Sequence, residues 1–168
     1  DELNWSNLTK LYDLEIYNCP KLTALPMDML TKLPELQMLN IACNKGISGD
    51  QLKSDWEAFI NGTSGPKIQV IYMGYNNLEE FPEHEELKKM VRLGMLDCAS
   101  NKIKKVHPFG KDVNLTKLYL DYNEITEIPH ADDGYFFGYL DVESFTCTHN
   151  KITQFPDAFN AKSIHIMA

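Results

Sequence analysis

Apolar residues recur along this chain in the order L-x-x-L-x-L, with isoleucine, valine, methionine, phenylalanine, alanine or cysteine replacing leucine in some copies. Clear copies begin at Leu36, Leu93 and Leu115. The central apolar residue of about seven copies, the last incomplete, falls at positions 14, 39, 71, 96, 118, 145 and 164, which are 19 to 32 residues apart. Self-similarity at this spacing predicts an array of stacked structural units.

The L-x-L part of each copy predicts a short β-strand. Side chains alternate along a strand, so both apolar residues enter a core and the residue between them faces outward. An asparagine follows three residues after the last apolar position in five copies, where its amide can satisfy backbone groups left unpaired by the bend. We predict a structural ladder, without a catalytic role, at Asn44, Asn76, Asn101, Asn123 and Asn150.

The segments between the strands vary in length and pattern. Residues 50–60 have apolar positions at the spacing of an amphipathic helix, with Asp50 or Ser48 as the N-cap and Asn61-Gly62 as the stop. A second short helix is predicted from Glu83 to Met90. Residues 107–114 and 130–138 are predicted to be loops, and the aromatic residues 135–137 are candidates for a local lid on the core.

The combined pattern L-x-x-L-x-L-x-x-N/C-x-L resembles that of leucine-rich repeat proteins, and Leu118, Leu120, Asn123 and Ile125 carry it most clearly. The irregular repeat lengths are similar to those of secreted or surface leucine-rich repeat proteins of gut Bacteroidetes. The resemblance implies an α/β fold: one right-handed solenoid domain over residues 1–168, with a parallel concave sheet and an irregular or helical convex side. It also implies a non-catalytic protein-binding module, extracellular or at a cell surface.

The outward positions of the predicted strands supply the candidate binding site. Tyrosine gives a large contact area with a polar tip, and several tyrosines fall on one face with two aspartates. The predicted concave binding residues are Tyr17, Tyr72, Tyr75, Asp97, Tyr119, Asp121, Tyr122, His149 and His165. The expected ligand is a protein. The alternatives are a glycan stacking on Tyr72 and Tyr119, a structural spacer that packs on other repeats, and tyrosines that merely suit exposed strands.

Composition and motifs argue against other classes of function. The net charge is −8, and no basic patch is visible, which argues against nucleic acid. No apolar run approaches the 18 residues of a membrane span. The sequence has no nucleotide-binding, hydrolase or metalloprotease motif and no paired metal ligands, so no enzyme activity, cofactor or metal is expected. His149 and His165 fall on neighbouring strands and could bind a metal with a nearby aspartate, although ordinary surface histidines are the favoured interpretation. The Asp132-Asp133-Gly134 turn lacks the spaced oxygens of a calcium loop.

Four remaining features give further expectations. Cys98 and Cys147 lie two strands apart, too far for a disulfide, and should be buried free thiols. Cys19 should point inward and Cys43 outward, which disfavours a bridge between them. The glutamates of residues 79–86 should form a solvated convex face. The chain starts at Asp1 and ends after an apolar run, as expected of a domain cut from a longer chain or a mature product without its leader, and its exposed last strand at 164–167 could pair between copies.

Overall fold

The computed structural model describes residues 7–108, 110, 112–129 and 142–154, together with the backbone of 164–165. Its centre is a seven-stranded parallel sheet in which the strands follow one another in chain order. The strands are β1 (Asp13–Glu15), β2 (Met38–Asn40), β3 (Val70–Tyr72), β4 (Met95–Asp97), β5 (Lys117–Tyr119), β6 (Ser144–Thr146) and β7 (Ile164–His165).

The strand register confirms the repeat alignment at every strand. Leu14 pairs with Leu39, Leu39 with Ile71, and the same row continues to the end of the sheet through Leu96, Leu118, Phe145 and Ile164. From Leu39 to Phe145 the side chains of this row are at most 2 % exposed. The L-x-L pattern therefore set both the faces of the sheet and its register, and the predicted α/β solenoid with a parallel sheet is confirmed.

The convex side carries short helices of unequal length. They are α1 (Met27–Leu30), α2 (Gly49–Asn61), a 3-10 turn (Gly65–Lys67) and α3 (His84–Leu87). The predicted helix at 50–60 is confirmed, and Ser48 is its N-cap, because its side chain accepts a hydrogen bond from the Gln51 amide at 3.2 Å.

Two details of these helices differ from the sequence prediction. The helix predicted from Glu83 to Met90 comprises only His84–Leu87, because the chain must turn back toward the sheet and Met90 and Leu93 are both buried in the core. The four-residue helix α1, which begins directly after Pro26, was not predicted, since one turn is too short to show a helical period.

Two buried polar residues form hydrogen bonds between the convex segments of successive repeats. The Asp55 carboxylate on α2 accepts from the Leu25 amide at 2.8 Å and from the Gln51 side-chain amide at 2.8 Å. The Ser64 hydroxyl accepts from the Leu33 amide at 3.0 Å and donates to the Leu33 carbonyl at 2.8 Å. Both residues thus link the second repeat to the first.

Several expectations fall on parts of the chain outside the described residues. They are the loop at 130–138 with its candidate lid, the Asp132-Asp133-Gly134 turn, and the exposed edge of the last strand. The loop predicted at 107–114 contains no helix or strand at its described positions. No helix among the described residues is both long and apolar enough to cross a bilayer.

Candidate functional site

The outward-facing residues of the strands form the concave face of the sheet. Its first row runs Glu15, Asn40, Tyr72, Asp97, Tyr119, Thr146, His165, each paired in register with the next. Tyr72 and Tyr119 therefore lie on the two strands that flank Asp97. All three side chains are half-buried. For His165 only the backbone is described, opposite Thr146, so the side-chain approach of His149 and His165 lies outside the described part of the chain.

A second row of outward residues lies where each strand bends into its turn, and we call it the rim row. All six have left-handed backbone with φ between 54° and 61°, and five of them are residues other than asparagine or glycine. Such a residue carries a backbone strain of roughly 1–2 kcal/mol. The rim row comprises Asn18, Cys43, Tyr75, Ser100, Tyr122 and His149.

Aromatic side chains stand exposed along this edge of the concave face. Tyr17, Tyr75 and Tyr122 are 53 %, 53 % and 55 % exposed. Tyr122 stacks on His149 of the next repeat, with ring centroids 4.2 Å apart and planes inclined by 9°. The stack therefore runs across the strands, along the direction in which the repeats follow one another.

The aligned strands and turns bring four tyrosines together around the fourth repeat. Tyr72 and Tyr75 belong to the repeat before it, and Tyr119 and Tyr122 to the repeat after it. The outward residues of the fourth repeat between them are short: Asp97, Ala99 and Ser100. We call this arrangement the tyrosine slot, with four tyrosines as its walls and Asp97, Ala99 and Ser100 as its floor.

Two carboxylates of the concave face have different environments. Asp121 is well satisfied: it accepts hydrogen bonds from the Thr148 amide at 2.7 Å, the Thr148 hydroxyl at 2.6 Å and the Thr146 hydroxyl. Asp97 accepts one bond, from the Ala99 amide to Oδ1 at 2.9 Å. Burial raises the pKa of Asp97, and the charge of Asp121 raises it further against the opposing effect of that hydrogen bond. Asp97 is thus a partly desolvated carboxylate with spare accepting capacity.

The five predicted asparagines directly follow the rim row in sequence, and all five donate in the same way. The Asn101 side-chain amide donates to the Met73 and Cys98 carbonyls, both at 3.0 Å, and its oxygen accepts from the Leu78 amide at 2.9 Å. Each asparagine therefore bonds to its own strand and to the preceding repeat. Asn44, Asn76, Asn123 and Asn150 donate to the equivalent carbonyls. Asn123 and Asn150 also accept from the equivalent amide, whereas Asn44 and Asn76 accept from the amide two residues earlier in the preceding repeat, that of Cys19 or Asn44.

The prediction that Cys19 points inward is wrong. Its thiol is exposed and donates a hydrogen bond to the Tyr17 carbonyl at 3.5 Å, while its backbone amide donates to Asn44 at 2.9 Å, as the Asn44 amide does to Asn76. Among the described residues the first inner turn has a neighbouring turn on one side only, which leaves the thiol uncovered. Cys43 lies in the rim row, is partly exposed, and through its hydrogen bond raises the pKa of Tyr17.

The other two cysteines are chemically quiet. Cys98 and Cys147 are free and fully buried, as expected from their strand positions. Burial raises the pKa of Cys147 to about 12 and that of Cys98 well above its ordinary value. Neither thiol is a nucleophile near neutral pH. Within the described residues, no group of three His, Cys, Asp or Glu side chains is placed to hold a metal ion.

A groove of about 370 Å³ lies on the convex side, between α2 and the segment that leads into α3. Apart from Glu57 of α2, its glutamates belong to the acidic stretch at 79–86 that was predicted to be solvated, and in that stretch Glu79, Glu80, Glu83 and Glu85 are exposed. Glu86 is the exception: it is half-buried, and burial raises its pKa. Lys53 bridges the groove to Glu80 at 2.5 Å.

Sequence reasoning missed the polar contacts that hold the concave face. It did not anticipate that Thr146 and Thr148 orient Asp121, or that Gly74 allows close packing; a Cβ there would lie 3.0 Å from the Ala99 carbonyl oxygen. The threonines at outward positions beside an aspartate were the available signal. The sequence signal for Asp55 was clearer, because this residue lies on the buried stripe of α2 between Leu52 and Phe59.

Comparisons with known proteins agree with this architecture. The Leucine Rich Repeat family model matches residues 114–132. A leucine-rich repeat protein from Bacteroides eggerthii is 47 % identical, with a TM-score of 0.78 over 92 % of this chain and 24 % of that one. A second, from Bacteroides thetaiotaomicron, is 39 % identical, with a TM-score of 0.72 over 98 % of this chain and 23 % of that one.

Similarity also extends to a vertebrate protein. Lumican from Rattus norvegicus is 28 % identical over 164 residues, which cover 90 % of this chain and 47 % of lumican. The chain thus spans about half the length of this curated relative and about a quarter of the two Bacteroides proteins.

Proposed function

Since this chain is a leucine-rich repeat protein, we propose that it is a non-catalytic recognition module that binds a protein partner through its concave face. The observation that carries the proposal is the group of exposed tyrosines beside the turns, because Tyr17, which precedes the rim residue Asn18, and Tyr75 and Tyr122 of the rim row are each more than half exposed. Large exposed aromatic residues are typical of binding hot spots, since they bury much area with few rotatable bonds.

Charge supports a partner with basic or amide-rich surface. The chain has a net charge of −8, and Asp97 and Asp121 lie among the tyrosines. Electrostatic complementarity speeds encounter and selects against acidic partners. The absence of catalysis is part of the same proposal. We place the module outside the cell or at its surface, on the resemblance to surface repeat proteins.

The test is a binding screen of the 168-residue chain against purified extracellular proteins and glycans, run beside a Tyr75→Ala/Tyr122→Ala double variant. The variant must keep the melting temperature of the parent. A protein ligand that binds the parent and is lost from the variant supports concave-face recognition. A ligand that binds both equally, or a screen without any protein ligand, contradicts it, and a ligand that soluble sugars displace makes the surface a glycan site.

A structural spacer is the second candidate. The specific observation in its favour is that several apolar residues of the first repeat, including Leu11, Leu14 and Ile16, are only partly buried, while the equivalent residues of later repeats are fully buried. This end of the core is therefore suited to packing against another repeat or domain. A spacer tolerates substitution throughout the concave face, and the double variant separates the two functions.

A further inference from the structure

The stack of rings on the rim row has a gap one residue wide. Tyr122 is covered on one face by His149 of the following repeat, so its other face is turned toward the preceding repeat. The rim residue of that repeat is Ser100, and the one before it is Tyr75. The row therefore reads tyrosine, serine, tyrosine, histidine.

The width of the gap suits one flat group. Neighbouring strands lie about 4.8 Å apart, so Tyr75 and Tyr122 are separated by about 10 Å across Ser100. A planar group midway between them would lie about 5 Å from each ring, within the range of aromatic and cation–π contacts. Tyr122 and His149 already stack at one such step, with ring centroids 4.2 Å apart.

The floor of the tyrosine slot supplies a negative charge. The Asp97 side chain is directed along the fourth repeat toward its turn, because its Oδ1 accepts from the Ala99 amide at 2.9 Å. Its second oxygen has no hydrogen-bond partner among the described residues, whereas the oxygens of Asp121 are held by Thr146 and Thr148. A flat group that enters the slot therefore meets a carboxylate at its base, and a cation there would offset the cost of burying that carboxylate.

We propose that the tyrosine slot binds an arginine side chain, with its guanidinium stacked between Tyr75 and Tyr122 above Ser100 and paired with Asp97. The inference rests on the proposed function, since it names the contact residue that a protein partner would insert. Arginine fits better than lysine, because the guanidinium is planar on both faces and the ammonium is a compact, strongly hydrated charge. A neutral sugar or ring would leave Asp97 without a counter-charge.

The backbone of the rim row provides a matched variant. Ser100→Tyr places in the gap the residue that Tyr75 and Tyr122 already carry at the same left-handed geometry, with φ of 56° and 55° against 55° at Ser100. The substitution therefore adds little backbone strain and fills the slot. Ser100→Ala leaves the slot open and removes only the hydroxyl, so it is the control.

The experiment is an NMR titration of the 168-residue chain with Nα-acetyl-arginine amide. We expect saturable shifts of the Tyr75 and Tyr122 ring signals and NOEs from the arginine δ-protons to both rings. Ser100→Tyr should weaken binding by about tenfold or more, as expected when both stacking faces are lost, and Ser100→Ala should not change it. The lysine and citrulline analogues should bind more weakly than arginine, because one lacks the plane and the other the charge.

Three outcomes would overturn the arginine slot: unsaturable shifts, unchanged arginine binding in Ser100→Tyr, or equal binding of citrulline or of a methyl glycoside. If Ser100→Tyr does not fold, Tyr75→Ser and Tyr122→Ser take its place, since Ser100 already shows serine at this backbone geometry; each removes one wall and should weaken binding, and unchanged affinity in both refutes the slot. The titration decides the slot and the partner screen decides the recognition function, so the two can fail separately.

Discussion

The inner turns beside the strands and the outer connections on the convex side satisfy their backbone groups in different ways. Each inner turn of the described second to sixth repeats uses an asparagine that donates to one carbonyl of its own repeat and one of the preceding repeat, as Asn76 does to Met73 and Ile41. On the outer side the polar links are all different: Asp55 for the Leu25 amide, Ser64 for Leu33. The repeated asparagine bonds keep the strands in register. The outer hydrogen bonds differ from one another and allow each connection its own length.

Removing a ladder asparagine should lower the free energy of unfolding more than any of the other substitutions below. Asn101→Ala leaves the buried Leu78 amide without its partner and removes one of the two donors to each of the Met73 and Cys98 carbonyls. The unpaired amide costs about 1–3 kcal/mol and each of the two lost carbonyl bonds about 1 kcal/mol, so we expect a loss of about 3–5 kcal/mol in the free energy of unfolding, measured by urea denaturation. Asn61→Ala, an exposed asparagine at the end of α2, is the matched control, with an expected loss of under about 0.5 kcal/mol. Equal losses would contradict a special role of the ladder.

Asp55→Ala removes the acceptor of the Leu25 amide and of the Gln51 side chain. We expect a loss of about 2–3 kcal/mol in unfolding free energy, since one buried backbone amide is left unpaired and a small cavity forms. Asp55→Asn keeps one acceptor oxygen and should lose less. Hydrogen exchange at the Leu25 amide locates the effect, and unchanged protection there in Asp55→Ala would show that the link is not maintained in solution.

Ser64→Ala should be milder, although Ser64 is fully buried. It loses the two bonds to Leu33 but leaves a cavity of only one oxygen atom. The expected loss is about 1–2 kcal/mol in the same urea experiment. A loss as large as that of Asn101→Ala would mean that single outer links hold the solenoid as firmly as the ladder.

The smallest change in stability is expected from substituting Asp97 on the concave face, and this change is a gain. Because burial raises the pKa of Asp97, its ionised form destabilises the folded state at neutral pH, and this penalty disappears as the pH falls through the raised pKa. Asp97→Asn should therefore raise the melting temperature at pH 7 by less than about 3 °C, with the gain shrinking as the pH is lowered.

The second repeat supplies a precedent for that variant. Asn40, in the same row, already accepts from the Ala42 amide at 3.1 Å as Asp97 does from Ala99. The hydrogen bond should therefore survive the substitution. A pH-independent change in melting temperature would show that packing, and not the charge, is responsible.

The sequence allowed the strands, their register and the positions of the concave residues to be predicted, because these residues meet the same neighbours in every repeat. Leu39 and Ile71 face one another because both continue one apolar row. The outer side lacks such a row, so α1 and the link from Ser64 to Leu33 were missed. Cys19 was placed wrongly because the pattern describes an interior repeat, and the first repeat has a neighbour on one side only among the described residues.

The side-chain arrangement of the candidate site was only partly predictable. The rows place Tyr122 beside His149, but whether two rings stack depends on rotamers that a repeat pattern does not specify. The same holds for Asp121, whose orientation toward Thr148 leaves Asp97 as the less satisfied carboxylate.

The left-handed residues of the rim row have a consequence for how such a protein can change over generations. The backbone cost at these six positions is set by the turn and is nearly the same for tyrosine, serine, cysteine or histidine, all of which occur there. A mutation that exchanges one of these side chains for another therefore alters what the surface displays while the fold is inherited intact. In this solenoid the asparagine that follows the rim residue stabilises the turn. Selection can therefore act on the exposed rim residues one repeat at a time.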